Sequence, residues 1–549
     1  MNLHFATCWE AIAQEYPARV VSICDGDMRT WGDFERRAAC LASLLKSHGL
    51  GQDTKGAIYL HNSHEYLEAQ FAIFKIGGCP INVNYRYKSD ELEYLLENSD
   101  AEVVFFQSCY AMRIWEIKDK LPKVKLFVQI DDGTEAMMDF AQDYERAIRE
   151  HEPLAPRSLD SETVYMLYTG GTTGLPKGVM YPVGSFAGFL TQMGAVGAGL
   201  EPPLDLHTYR EYLAKIEYPP ISLVGCPMMH GTGMWLGCFV PMMMGGTVVS
   251  TSKLGLDPHR LWSLVEQHRV SDIVIVGDAF ARPMLAALNE AKARKTPYDL
   301  RAVKQISSSG VMWSEETKRG LLEHHNFVLN DIMGSTEGGM GSAQSSRESG
   351  PETAKFNLND GVVVIADDGT FVAPGSKVIG RIATSNLVPL GYYKDPEKSA
   401  ATFQDIDGVR YSFPGDYATV EPDGSITLLG RGSVCINTGG EKVFPEEVEE
   451  AVKRHRDVLD CLVVGLPDER FGEQVVAICN LYGMDPEDPD SYVPVDSAVI
   501  DELIEHCAGE LAGYKVPRQM IVTPMVKRAP NGKADYKWAK TFAGQKLGV

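Results

Sequence analysis

The segment from Thr163 to Met180, TVYMLYTGGTTGLPKGVM, constrains this chain more than any other. An apolar strand runs into Thr169, Gly170, Gly171, Thr172, Thr173 and Gly174, and Lys177 and Gly178 then lead into a second apolar run. Glycines let backbone N–H groups turn toward an anion, threonines add hydroxyl donors, and a lysine adds a point charge, so the loop suits a polyphosphate. It is not a Walker A loop, because Gly174 is followed by Leu175 and Pro176 instead of Lys and Ser or Thr. Taken alone, the loop also reads as a Gly/Thr-rich surface hairpin.

Helix and strand patterns alternate around this loop. Asp33 to His48 sets Phe34, Ala38, Leu41 and Leu45 on one helical face; Lys55 to Leu60 reads as a strand, His64 to Ile76 as a helix, Pro80 to Asn84 as a strand, Ser89 to Glu97 as a helix and Glu102 to Gln107 as a strand. The alternation recurs from Leu261 to Asp331, with strands predicted at Ser271 to Val276, Val303 to Ile306 and Phe327 to Asn330. Such βαβ units imply parallel sheets covered by helices on both faces. After Gly361, turn signals such as Asp367-Asp368-Gly369 and Pro422-Asp423-Gly424 mark a small β region. After Arg431 the pattern changes again, to a helix from Pro445, strands at Val458 to Leu466 and Gln474 to Leu481, a helix at Val499 to Leu511 and a strand at Met520 to Thr523. A chain of 549 residues exceeds the roughly 250 to 300 residues that one core sustains. The expected architecture is α/β: a large N-terminal domain over 1–430 and a small α+β domain over 434–549, with the boundary near Gly430 to Ser433.

Charge narrows the partners. With 52 Lys and Arg against 74 Asp and Glu, the net charge of −22 opposes nucleic acid and anionic membrane surfaces, so an anionic ligand must be held by local devices. Eleven scattered cysteines without a CxxC pair fit reduced thiols in the cytoplasm, and no signal peptide is apparent. Tyr218 to Ser252 carries no Asp, Glu, Lys or Arg, but its prolines and glycines cut it into pieces too short to span a bilayer; a buried helix with its loops is expected there.

Further motifs follow the loop in order. They are Pro227-Met-Met-His230-Gly-Thr-Gly233, Ser308-Ser-Gly310-Val-Met312, Asp331-Ile-Met-Gly-Ser-Thr336-Glu337, Tyr411-Ser-Phe-Pro-Gly-Asp416, Gly430-Arg431 with Gly439-Gly440-Glu-Lys442, and Pro530-Asn-Gly-Lys533. Together with the loop they resemble the adenylate-forming superfamily of acyl-CoA synthetases, luciferases and nonribosomal adenylation domains, over almost the whole chain. The stretch from Gly432 to Glu449 resembles most the fatty-acid and steroid-side-chain acid CoA synthetases.

The resemblance implies ATP, Mg²⁺ and CoA, and it assigns roles. Glu337 holds Mg²⁺ and, with Thr336, serves catalysis; the loop residues, Ser309, Gly310, Val311, Asp331, Met333, Asp416 and Arg431 surround the nucleotide. Residues 431–433 form a hinge, about which a mobile C-terminal domain swings Lys533 to the α-phosphate for adenylation. For thiolation it turns Gly439 and Gly440 to a pantetheine tunnel, with Lys442 as a phosphate partner. His230 and Gly231 line the acyl tunnel, and Gly334 stands where acetate-specific relatives carry a tryptophan plug, which implies a deep pocket for a medium or long chain or a steroid side chain. The pattern departs from the family at Ser433, where the pivot is usually charged, at Met333, usually an adenine-stacking aromatic, and at Pro414, usually Thr. The expected activity is ATP-dependent acid–CoA ligation on a small-molecule acid, in a monomer or homodimer. A carrier-loading adenylating enzyme, a luciferase-like monooxygenase and a non-catalytic ATP-binding scaffold are the alternatives.

Overall fold

The computed structural model describes residues 3–170, 175–311, 313–351, 354–438, 441–468, 470–484, 497–529 and 532–549. The first βαβ run builds a five-stranded, all-parallel sheet in the order Cys79–Asn82, Lys55–Tyr59, Ala101–Gln107, Leu126–Ile130, Gln142–Asp143. Its strands are continuously apolar because helices cover both faces; Ala57, Ile58, Val103, Val104, Phe105 and Phe106 are all fully buried. Helix Trp31–Ser47 starts where the Thr30 hydroxyl accepts from the Asp33 N–H at 3.1 Å, and helix His64–Lys75 starts at the Ser63 hydroxyl.

A second parallel run follows the order Val20–Cys24, Thr247–Ser250, Ile221–Val224, Asp272–Ile275, Gln305–Ser309, Val328–Ser335. The charge-free stretch from Tyr218 to Ser252 was expected as a buried helix with loops. It also supplies two central strands of this sheet, on either side of a π-helix at Thr232–Phe239. Central strands buried on both faces cannot carry charge, which accounts for the composition. The strand expected at Phe327 to Asn330 continues to Ser335, because it pairs with Gln305–Ser309 on one side and antiparallel with Gly338–Ser345 on the other. The β region therefore begins at Gly338, ahead of Gly361, and runs on through Lys355–Leu358, Ile426–Arg431, Asp416–Val420 and Gly380–Thr384.

Between the two parallel sheets lies the helix Phe5–Glu15. Its Phe5 and Trp9 rings meet Phe74 of helix His64–Lys75 and Phe239 of the π-helix, with centroids 4.6 to 6.0 Å apart. Each such buried aromatic is worth about 1.5–3 kcal/mol, so this plug fixes the two sheets against each other.

The last sheet contains only strands from Ile436 onward: Glu441–Val443, Ile436–Thr438, Gly472–Leu481 and Val458–Asp468 antiparallel, with Gln519–Val522 parallel to Gly472–Leu481. Alternate residues face opposite helices, Val463, Ala477 and Cys479 with Val448 and Leu503 on one side, Leu462, Val464 and Ile478 with Phe542 on the other. No helix among the described residues is long and apolar enough to cross a membrane.

Candidate active site

The phosphate loop is the turn of a hairpin. Val164–Thr169 pairs antiparallel with Lys177–Pro182, Thr169 opposite Lys177, while Gly171, Thr172, Thr173 and Gly174 lie outside the described residues. A third strand, Gly391–Tyr392, joins the hairpin and brings two side chains that the motifs do not contain. Asp395 pairs with Lys177 at 2.6 Å, and the Tyr392 hydroxyl donates to Glu337 Oε1 at 2.8 Å. From the hairpin itself, the Tyr181 hydroxyl donates to the Thr336 carbonyl at 2.8 Å. The phosphate hairpin and the Thr336–Glu337 turn are thus one unit. The chain can reverse after Glu337 because Gly338 adopts φ +155°, where a Cβ would sit 2.6 Å from Thr384 Cγ2.

Ser309, Gly310 and Val311 stand at the carboxyl end of the Gln305–Ser309 strand, the side on which parallel sheets bind ligands. Gly310 has φ +90°, and its missing side chain leaves the Thr232 hydroxyl 3.6 Å from the Cβ position, so this turn faces the His230 turn directly. Two of the expected nucleotide residues turn elsewhere. Asp331 is buried with its Oδ2 3.0 Å from Lys318 Nζ, and its backbone lies between two paired strands, opposite Ser308 and Ala343. Met333 packs into the β-region core with Met340, Phe356 and Ile426.

Asp416 and Arg431 are register partners on neighbouring strands, with Arg431 Nε 3.4 Å from Asp416 Oδ1. Asp416 is buried, and its Oδ2 has no hydrogen-bond partner among the described residues. Burial pushes this carboxyl above the ordinary aspartate range, against the pull of Arg431. A buried, unpaired acceptor costs stability unless a donor arrives, so this oxygen is a place for a ligand's hydrogen-bond donor. Lys533 enters the same group from the C-terminal module. By surface the residue is exposed, but protein crowds its ammonium; desolvation and Arg431 lower its pKa, and Glu337 and Asp416 oppose them. Lys533 also lies close enough to His230 to help depress that imidazole to about 4, burial being the larger cause, which keeps His230 neutral near pH 7.

The His230 turn is held by glycine. A Cβ at Gly233 would overlap the Pro227 carbonyl, and one at Gly231 would approach Trp235 Cε3 to 3.3 Å. Trp235 is partly exposed and donates from Nε1 to the Tyr165 hydroxyl at 2.9 Å, whereas Met228, Met229 and Met234 are fully buried core residues, not open pocket walls. At Gly334, a Cβ would meet only the Gly338 carbonyl at 3.5 Å and Gly339 Cα at 3.6 Å among the described residues.

Asn82, which no motif marks, joins these parts. Its Nδ2 donates to the Tyr168 carbonyl at 2.8 Å and to the Met229 carbonyl at 2.7 Å, and its Oδ1 accepts from the Tyr168 N–H at 2.7 Å. Asn62 grips the same turn from its other end, through the Cys226 carbonyl at 3.1 Å and the Met228 N–H at 2.8 Å. The only sequence signal was position: both asparagines follow or end a parallel strand at its carboxyl edge.

This constellation coincides with a sequence relationship: a family model described as AMP-binding enzyme matches residues 9–393, and one described as AMP-binding enzyme C-terminal domain matches 447–533. The chain belongs to the AMP-binding enzyme family. Among curated members of the family it is 39% identical to the 3-oxocholest-4-en-26-oate–CoA ligase of Rhodococcus rhodochrous, over 99% of this chain and 96% of the relative. It is 38% identical to a medium/long-chain-fatty-acid–CoA/3-oxocholest-4-en-26-oate–CoA ligase of Mycolicibacterium smegmatis, over 98% and 96%. An anthranilate CoA ligase solved in complex with anthranoyl-AMP has the same fold, with a TM-score of 0.84 at 19% identity, covering 100% of this chain and 98% of its own.

In this AMP-binding enzyme Lys442 is the one residue expected at CoA that falls among the described residues. Gly439 and Gly440 lie outside the described residues, and Lys442 pairs with Asp367 of the β region at 3.3 Å. Arg454 and Lys515 of the same module pair with Glu510 at 2.7 Å and Glu447 at 2.6 Å.

Proposed function

We propose that this AMP-binding enzyme is an ATP-dependent acyl-CoA ligase for a medium- or long-chain fatty acid or a steroid-side-chain carboxylic acid. The observation that supports it most is Lys533, carried by the C-terminal module into the charges of Glu337, Asp416 and Arg431 and beside His230. In the first half-reaction a carboxylate oxygen of the acid attacks the α-phosphorus of ATP, and pyrophosphate leaves with the electrons of the broken P–O bond. Two anions must be held in line, so positioning and charge neutralisation carry most of the rate. Lys533 opposes the negative charge shared by acid and α-phosphate, the hairpin of Thr169 and Lys177 cradles the phosphates, and Asp416 takes the ribose hydroxyls on its unpaired Oδ2. Glu337, oriented by Tyr392, would hold Mg²⁺ together with phosphate oxygens; when bound, the ion supplies charge neutralisation on the triphosphate.

In the second half-reaction the CoA thiol attacks the acyl carbonyl and AMP leaves. For this step the C-terminal module turns, with residues 431–433 as the hinge between the modules, 1–430 and 434–549. Neutral His230, and a glycine at 334 where a Cβ would meet backbone only at ordinary contact distance, favour an extended apolar acid over acetate.

The test is AMP release with purified enzyme, ATP and Mg²⁺ over acids graded from acetate to long-chain and steroid-side-chain acids, with and without CoA. CoA-dependent AMP release rising with apolar length supports the proposal. Preference for acetate overturns the acid assignment, and AMP release without thioester formation overturns the ligase.

A further inference from the structure

The placement of Lys533 depends on how the C-terminal module is seated, and the seat is the first two turns of helix Gly277–Ala293. The Cβ position of Gly532 lies 2.7 Å from Ala279 Cβ and 3.5 Å from the Val276 carbonyl oxygen, so the residue before the lysine rests on this helix with no room for a side chain. One turn further along, Arg282 Nη1 donates to the backbone carbonyl of Leu459. That carbonyl is presented by an irregularity in the sheet: the pairing of Val458–Asp468 with Gly472–Leu481 skips Leu459, with Val458 opposite Leu481 and Asp460 opposite Asn480. A bulged residue loses its ladder partner and points its backbone out of the sheet.

The Arg282 side chain is 16% exposed and is aimed by Asp278, whose Oδ2 accepts from Arg282 Nε at 3.2 Å while its Oδ1 accepts from the Ser314 N–H at 3.1 Å. Asp460 and Tyr482 of the C-terminal module also favour the charged Arg282, Asp278 favours the charged Lys453 across the seat, and further charges pair within the C-terminal module. Arg528 forks onto Asp460 at 2.6 and 2.7 Å, and Lys453 pairs with Glu450.

We infer that Arg282 is a positioning residue for adenylation: its bond to the bulged Leu459 carbonyl fixes the C-terminal module in the arrangement that places Lys533, and must break before the thiol side can assemble. The inference rests on the ligase reading for its kinetic consequence, but its structural consequence does not. A charge-assisted hydrogen bond to a half-buried carbonyl favours this arrangement about 10- to 100-fold.

The variants are Arg282→Met, which keeps the stem and removes the donors, and Ala279→Leu, which fills the seat of Gly532. On the full chain, both should slow acyl-AMP formation about 10- to 100-fold and leave the turnover of supplied acyl-AMP with CoA unchanged or faster. Arg282→Lys should recover part of the loss. In a Lys533→Ala background Arg282→Met should add little, since its effect runs through Lys533. Equal losses in both half-reactions, or a full additional loss in the Lys533→Ala background, overturns the inference. Hydrogen exchange separates it from the ligase reading: backbone amides around 277–284 and 458–462 should lose protection in Arg282→Met while those of the 101–107 strand do not. Unchanged protection overturns the latch whatever the activity, and wild-type enzyme inert toward every acid overturns the ligase while the exchange result still decides the latch.

Discussion

Replacing Asn82 tests whether the nucleotide and acid halves of the site are joined as the structure shows. The amide makes three hydrogen bonds of 2.7 to 2.8 Å, two as donor and one as acceptor. At about 1 kcal/mol net for each, with a further cost for any carbonyl left dry, Asn82→Ala should destabilise the protein by about 2–4 kcal/mol. Water can enter the space left by alanine, because Asn82 is only partly buried, and this holds the loss near the lower figure. Asn82→Asp has nearly the same shape but aims a carboxylate at the Tyr168 and Met229 carbonyls, replacing two attractions by two repulsions. It should therefore be worse than alanine at neutral pH. Those carbonyls favour the protonated acid, so the folded-state pKa of the new aspartate is raised above its unfolded value. Its contribution to stability is then most favourable below the unfolded value and is lost as pH rises through the folded one, so the deficit of Asn82→Asp against wild type should shrink in acid. Urea unfolding at several pH values, with pyrophosphate release as the activity readout, measures both effects. An aspartate variant as stable as wild type at pH 7.5, or an alanine variant with wild-type stability and rate, refutes the coupling of Tyr168 to Met229 through Asn82.

Other perturbations act on single parts of the site. Burial raises the Asp416 carboxyl pKa, so ATP affinity measured calorimetrically should fall as pH drops through that raised value, and Asp416→Asn should weaken binding about tenfold and flatten the pH dependence; the same pH dependence in wild type and Asp416→Asn would count against the ribose contact. Glu337→Gln removes the charge beside Tyr392 while keeping its shape, and adenylation should fall and require more magnesium, with an unchanged magnesium titration placing the ligand elsewhere. Gly334→Trp should abolish activity on long and polycyclic acids and spare acetate and propionate, since each methylene excluded from an apolar tunnel forfeits about 0.8 kcal/mol; uniform loss across all acids would show misfolding instead of a plug.

Much of this was already legible in the sequence. The helices and strands read between Asp33 and Gln107 and those read after Pro445 fall within about two residues of their patterned positions, because local capping and periodicity act over a few residues: Ser63 and Thr30 start their helices where they stand. The strands Leu126–Ile130, Gln142–Asp143, Ile436–Thr438 and Glu441–Val443 and the helix Tyr536–Leu547 were not read from the sequence. Motif residues whose chemistry depends on residue type, such as Asp416, Arg431, Glu337 and Lys533, could be named from their order along the chain, and the fold gathers them. What pattern could not give was the identity of neighbours distant in sequence. Tyr392 reaches Glu337 from 55 residues away, Asp395 reaches Lys177 from 218, and Asn82 reaches Met229 from 147. Nothing local marks a tyrosine or asparagine as a partner of another segment. Met333 and Asp331 show the converse, for their positions in a motif pointed to the nucleotide while an apolar cluster and Lys318 claimed their side chains. The seat of Lys533 is further still from the sequence, since it needs a helix start at Gly277, a skipped residue at Leu459 and an arginine between two modules. Residue type and spacing determined which chemistry the chain carries. Tertiary packing decided which groups meet, because desolvation, hydrogen-bond competition and close approach are properties of neighbours that only the folded chain brings together.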